Sequence, residues 1–277
     1  VLESEQVAQL DSKDMDFATW RQLASRVGHH LARSDVAGAV ITHGTDTLEE
    51  TAYFLSRLVI TDKPVVLTGA MRPASSGQAD GPRNLADAIA LAASGKAVGV
   101  VVVFACDIHA ARHARKVHPH RLNAFSSGEA GPIGRVGAGG VQIERLTGPA
   151  RALTEPAQAP IDLAVLPVED AAWPWVEIVA SAAGVDGAVV RLLVQAGVDG
   201  IVVAATGNGT LHRCLLPALD EAARRGVRVV RSSRCLDGRI TEPEAGAIAS
   251  SGDLTPVKAR IEMILSLLAA AAVANRN

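Results

Sequence analysis

The sequence predicts a two-domain α/β fold, with a larger N-terminal parallel-sheet domain followed by a smaller α/β C-terminal domain. Two observations predict it. Apolar runs rich in valine and isoleucine recur without alternation, as strands buried on both faces do. Each is followed by a stretch of helical period, which points to repeated strand–helix units and argues against an all-β fold. The length of 277 residues allows one large domain or two ordinary ones, each with a sizeable core.

The elements follow in order. "AGAVITHG" (37–44) reads as a strand and "TLEETAYFLSRLV" (47–59) as the helix behind it. Leu48, Thr51, Ala52, Leu55, Leu58 and Val59 form its apolar face. Thr47 and Glu50 have the spacing of a capping box. "PVVLTGA" (64–70) is the next strand and "GPRNLADAIALAAS" (81–94) the next helix. That helix is opened by Pro82 and turns Leu85, Ala88, Ile89 and Ala92 to the core. "VGVVVVFACD" (98–107) is a third strand.

From 127 to 160 the period weakens and glycine and proline accumulate. A connection is placed at 145–160, between domains at 1–144 and 161–277. In the second domain "IDLAVLPV" (161–168) reads as a strand. "WVEIVASAAG" and "VVRLLVQAG" suit helix or strand equally. "DGIVVAATGNG" (199–209) is strand then loop, and 212–226 is a helix broken or kinked near Leu216 by its proline. "VRVVRSSRC" (227–235) is a strand. Thr255 and Pro256 open a final helix with a buried stripe of Val257, Ile261, Ile264, Leu265 and Leu268.

Composition narrows the function. Net charge is -2 and aromatics are 3% of residues, so neither a basic field nor stacking platforms for nucleic acid are present. The three cysteines, Cys106, Cys214 and Cys235, have no C-x-x-C spacing and read as small buried hydrophobes. "MILSLLAAAAVA" is too short to span a membrane. Localisation stays open between cytoplasm and periplasm. Neither a G-x-G-x-x-G in strand–helix context nor a phosphate-binding G-x-x-x-x-G-K-[ST] occurs, so no nucleotide cofactor is expected. Trp173 and Trp175 read as core or subunit packing.

Ligands of open α/β sheets bind beyond the carboxyl ends of the strands. Those ends here are "THGTDT" (42–47), "TGAMRP" (68–73), "CDIHAARHARK" (106–116) and "ATGNG" (205–209). Thr45 is a nucleophile or relay only beside a base. Lys116 is the attractive base, with Asp46 organising its charge. Spacing alone equally allows Asp46 or Thr47 as a helix cap and Lys116 on a solvated loop. Cys106, His109 and His113 could approach a zinc donor set, with the two histidines on one face if the segment is helical. Arginines 112, 115 and 121 oppose a cation there, and exposed histidines on a basic turn are the simpler reading. His43 reads as a packed histidine at the strand end.

"HGTDTLEETAYFL", "KPVVLTGAMRP", "ADGPRNLADAI", "GPIGRV" and "SGDLTPVKARI" together resemble the bacterial-type L-asparaginase family over nearly the whole chain. The resemblance implies hydrolysis of the L-asparagine side-chain amide through a threonine acyl-enzyme, with possible L-glutaminase side activity and no metal or cofactor. It implies a homotetramer, a dimer of dimers, with sites shared between subunits. Thr45 matches the threonine that works with the lysine, Asp46 the aspartate that binds the substrate amine, and Lys116 the lysine that completes the group. Ser12 resembles the serine holding the α-carboxylate, and Lys13 stands where glutamine is common. Gly44, Ala70 and Asn208 complete the expected substrate contacts, and Glu242 is the candidate for the second-domain acid. The family's strand ending "TGGTIA", which carries the primary nucleophile, is not among these 277 residues. Residues are therefore expected before Val1, and a chain lacking that strand is expected to be nearly inactive. The alternatives are an amino-acid-binding protein of the same fold without catalysis, a metal-dependent hydrolase and, more remotely, a nucleic-acid binder.

Overall fold

The computed structural model describes residues 1–143, 160–241 and 248–275. The expected connection at 145–160 falls, but for its last residue, outside these residues, as does Glu242. The chain divides into two units, Val1–Asp170 and Ala171–Asn277.

The first unit contains β1 (Ala39–Thr42), β2 (Pro64–Thr68), β3 (Gly99–Phe104), β4 (Asp107–Ala110), β5 (Arg115–Lys116), β6 (Phe125–Ser126), β7 (Gly134–Gly137) and β8 (Gly140–Ile143). Six of them form a sheet in the order β1-β2-β3-β4-β7-β8, and β5 pairs with β6 separately. β1, β2 and β3 run parallel. β4, β7 and β8 extend the sheet antiparallel. The segment after β3 is thus a hairpin strand. The helix that would put His109 and His113 on one face is not formed. Ala105 and Cys106 make the turn with φ of 48° and 71°. Positive φ at both central residues matches the twist of a two-residue hairpin, at some steric cost for residues with a Cβ.

Helices α1 (Phe17–Leu31), α2 (Leu48–Leu58) and α3 (Gly81–Ser94) complete this unit. The sequence reading assigned no helix to α1. Its cap is Asp16, whose carboxylate accepts the Thr19 N–H at 2.7 Å, and it buries Trp20, Leu23, Ala24, Val27 and Leu31. α2 buries the whole expected face, with Tyr53 and Phe54 besides. α3 has the expected bounds but a rotated face. Leu85 is exposed, while Asn84, Asp87, Ala88, Leu91 and Ala92 are buried. Ala88, Leu91 and Ala92 pack with Val66, Val101, Val103, Ile108 and Val136 into one apolar cluster. The expected strand at 161–168 is instead a short 3-10 turn, Leu163–Val165, held by Asp162 accepting the Ala164 N–H at 2.9 Å.

The second unit contains β9 (Val176–Ala180), β10 (Gly200–Ala205) and β11 (Arg228–Ser233), with α4 (Ala188–Ala196), α5 (Leu216–Arg224) and α6 (Pro256–Ala274). The strands are parallel in the order β11-β10-β9. The two ambiguous segments resolve as strand β9 and helix α4. Pro217 lies in the first turn of α5, so it starts that helix where the sequence suggested a break. Thr255 caps α6 by accepting the Lys258 N–H, and Ile261, Ile264, Leu265 and Leu268 are buried. Trp173 is buried, whereas Trp175 is exposed and donates to Glu177 at 2.8 Å. Among the described residues no helix is long and apolar enough to cross a membrane.

Candidate active site

The ends of β1 and β2 are joined one residue past their ladder: the His43 N–H donates to the Thr68 carbonyl at 2.8 Å. The chain then turns sharply through Gly44, Thr45 and Asp46 into α2. Ser12 seats this turn from below. It is 2% exposed, and its hydroxyl accepts the Asp46 N–H at 3.2 Å. A Cβ on Gly44 would lie 2.5 Å from the Ser12 Oγ, so only glycine fits the seat without a shift.

Thr47 does not behave as a capping-box residue. It stands at the N-cap of α2, but its hydroxyl makes no cap bond. The hydroxyl donates to the Ser12 carbonyl at 2.6 Å instead. A buried loop carbonyl needs a donor, and this tertiary partner outcompetes the local one.

Lys116 reaches the turn from β5. Its Nζ donates to the Thr45 Oγ1 at 2.9 Å and to the Asp46 Oδ1. The Lys116 side chain is 14% exposed and that of Asp46 is 54% exposed. The cation is therefore sheltered while the carboxylate faces open space. Of the two readings that spacing left open, the solvated lysine is absent. A hydroxyl, an ammonium and a carboxylate in this arrangement can pass a proton and bind a small zwitterion.

Residues 1–147 match the family described as asparaginase, N-terminal, and residues 175–274 match the glutaminase/asparaginase C-terminal domain. The chain belongs to the asparaginase family. It is 39% identical to L-asparaginase 2 of Escherichia coli over 96% of this chain and 76% of that protein. It is 37% identical to the glutaminase-asparaginase of Pseudomonas fluorescens over 95% of this chain and 72% of that protein. A solved structure, the probable cytoplasmic L-asparaginase of Campylobacter jejuni, is similar with a TM-score of 0.85 at 37% identity, covering 95% of this chain and 80% of that one.

Two supports of this asparaginase-family turn went unread in the sequence. One is a hydrogen-bond chain. Trp20 Nε1 donates to the Thr51 hydroxyl at 2.8 Å, Thr51 contacts His43 Nε2 at 2.9 Å, and His43 Nδ1 contacts the Gly44 carbonyl at 2.6 Å. Burial pushes the His43 imidazole below its ordinary pKa, so the ring favours its neutral form. The neutral ring then donates from Nδ1 to the carbonyl and accepts at Nε2.

The other support is a clamp on "TGAMR". The Asp80 carboxylate accepts the N–H groups of Met71 and Arg72, each at 2.9 Å. Asn84 donates to the Gly69 carbonyl at 2.9 Å and accepts the Ala105 N–H at 3.2 Å. The signal was present in "ADGPRN", where a polar residue at 84 interrupts the apolar face one turn into α3. Asn84→Leu leaves both backbone groups without their partner and is expected to cost about 1–3 kcal/mol of stability, read by urea unfolding.

The other expected site residues lie as follows. Ala70 is exposed just past β2. Lys13 is exposed, with its ammonium on Asp14 at 2.5 Å and Asp11 at 3.4 Å, so two carboxylates offset its charge. Asn208 lies in the second unit, in the loop after β10. It accepts the Thr241 N–H at 2.9 Å, and Gly207 and Gly209 flank it at φ 47° and 81°. His109 is buried with Nδ1 2.8 Å from the Ser127 hydroxyl. Among the described residues no three His, Cys, Asp or Glu side chains group as a metal site would require.

Proposed function

We propose that the complete protein of this asparaginase-family chain hydrolyses the side-chain amide of L-asparagine to L-aspartate and ammonia, with L-glutamine as a slower substrate. The observation that carries the reading is the Lys116 ammonium held at once by Thr45 and Asp46, 71 and 70 residues away in sequence. The names of its relatives support the same substrates.

In this reading Lys116 first releases one ammonium proton to solvent, and the attacking threonine hydroxyl that the family resemblance implies then gives its proton through the Thr45 hydroxyl to the lysine amine. Attack on the amide carbonyl forms a tetrahedral oxyanion, which backbone N–H groups near Thr45 stabilise. The C–N bond breaks, the nitrogen leaves as ammonia with the relayed proton, and an ester remains. Water attacks the ester, its proton passes to the same pair and on to the departing threonine oxygen, and the free acid and the threonine hydroxyl are restored. The Asp46 carboxylate takes the substrate's α-ammonium. The Ser12 hydroxyl accepts from the Asp46 N–H and keeps its own proton to offer the α-carboxylate. Gly44, Lys13 and Ala70 line the approach. The protein works as a tetramer in which Asn208 of the partner subunit completes the site. Glutamine is longer by one methylene, a difference that pockets discriminate by about 1–3 kcal/mol.

Ammonia release by the complete protein from L-asparagine, L-glutamine and D-asparagine tests the reading. The expected order places L-asparagine first, and no release from any of them by folded protein overturns it. Asp46→Asn is expected to lower kcat/KM for L-asparagine about 10- to 100-fold, the worth of a charged hydrogen bond.

A further inference from the structure

The segment that delivers Lys116 ends in an unusual turn. β5 and β6 pair over only two residues each, Arg115 with Ser126 and Lys116 with Phe125. One further bond, from the Val117 N–H to the Ala124 carbonyl at 2.8 Å, closes the ladder toward the loop. A two-residue ladder supplies few bonds to hold a catalytic lysine, so the loop at 118–123 must help keep it in register.

His118 organises that loop. Its Nδ1 accepts the His120 N–H at 3.2 Å and the Arg121 N–H at 3.1 Å. A backbone N–H only donates, so Nδ1 must be bare and the ring proton must sit on Nε2. Pro119 between them holds its own φ and disfavours a helical backbone at His118. The imidazole therefore does what an asparagine or aspartate side chain does at the first position of a turn, accepting from the backbone two residues on. The His120 ring packs edge-on against it with centroids 4.5 Å apart.

We propose that His118 is a positioning residue for Lys116, its bare Nδ1 closing the β5–β6 loop and so holding the ammonium against Thr45 and Asp46. Protonation puts a hydrogen on Nδ1 that faces two N–H donors. Both bonds are then lost, the loop opens, and the backbone of Lys116 is held by the two-residue ladder and the Val117–Ala124 bond without the turn that closes them. The charged and titratable groups acting on His118 are Arg121 and His120 of the same loop. Both oppose a positive charge, and no carboxylate among the described residues offsets them. Burial first, then these two neighbours, draws the imidazole below its ordinary value. The turn therefore stays closed at neutral pH and opens as the pH falls through the lowered pKa.

The inference rests on the role given above to Lys116, and the test separates the two. The complete protein and its His118→Asn and His118→Ala variants are compared by kcat/KM on L-asparagine from pH 5 to 9. Hydrogen exchange of the peptide 117–124, corrected for intrinsic rates, is followed alongside. The side-chain amide in His118→Asn keeps the acceptor and cannot titrate. That variant is expected to match the wild type at pH 8 and to exceed it about fivefold at pH 5, roughly the worth of one to two neutral hydrogen bonds. His118→Ala is expected to run about fivefold below wild type at pH 8, without the acid step. The wild-type peptide is expected to lose protection in acid while that of His118→Asn keeps it. Parallel pH profiles and equal protection for wild type and His118→Asn overturn the inference. If none of the three releases ammonia, the proposed activity fails, and exchange alone still decides whether His118 closes the loop.

Discussion

Lys116→Ala is expected to lower kcat for L-asparagine by about 10² to 10⁴, the usual contribution of a positioned general base. Stability should hardly change. The partner carboxylate of Asp46 is 54% exposed, so water and salt screen the pair, and such ion pairs contribute about 1 kcal/mol or less. Urea unfolding and ammonia release on the same preparation separate the two effects. Lys116→Arg sharpens the test. A guanidinium keeps the positive charge for Asp46 but stays protonated, so it cannot accept a proton from Thr45. A variant with arginine that retained activity within threefold of wild type would show that charge alone suffices and would end the base assignment.

Gly69→Ala is the second large effect expected, and it comes from backbone geometry. A Cβ on Gly69 would overlap the His43 carbonyl oxygen and sit 3.4 Å from the Thr45 Cγ2. The obstacle is main chain, already tied by the His43 N–H to Thr68 at 2.8 Å, so it cannot rotate away like a side chain. Overpacking of this kind costs about 1–3 kcal/mol. The atoms that must move set the position of Thr45, and a misplacement near 1 Å costs about 10²-fold in rate. Gly77→Ala is the control. A Cβ there meets nothing within 4 Å, so stability and rate should stay at wild-type levels. Normal activity in Gly69→Ala would mean that the β1 and β2 ends are looser than their contacts indicate.

Much of the framework was legible in the chain itself. The three parallel strands of the first unit and the runs behind them lie within a few residues of their expected places, and α3 agrees at both ends. The triad of Thr45, Asp46 and Lys116 was legible as a set of candidates, carried mainly by the family resemblance. Side-chain partners were read less well. Leu85 looked like core by period, yet Asn84 takes the inward position because the Gly69 carbonyl and the Ala105 N–H need it. Thr47 looked like a cap, yet the Ser12 carbonyl claims its hydroxyl. Residues 106–116 carried no alternation strong enough to announce β4, since a sheet neighbour determines that strand.

By itself the sequence determined the three parallel strands of the first unit with α2 and α3 behind two of them, where α3 and α6 begin, and to which family the chain belongs. Those properties live in periodicity, caps and short motifs, whose interactions span a few residues. Only the tertiary structure decided that Lys116 meets Thr45 and Asp46, that Ser12 and Asn84 hold the two strand ends, and that His118 shuts the loop behind the lysine. Most of these contacts join residues far apart in the chain. Even the short-range His118 turn depends on ring orientation, which spacing does not encode. A hydrogen bond forms only once the backbone has brought both partners within about 3 Å.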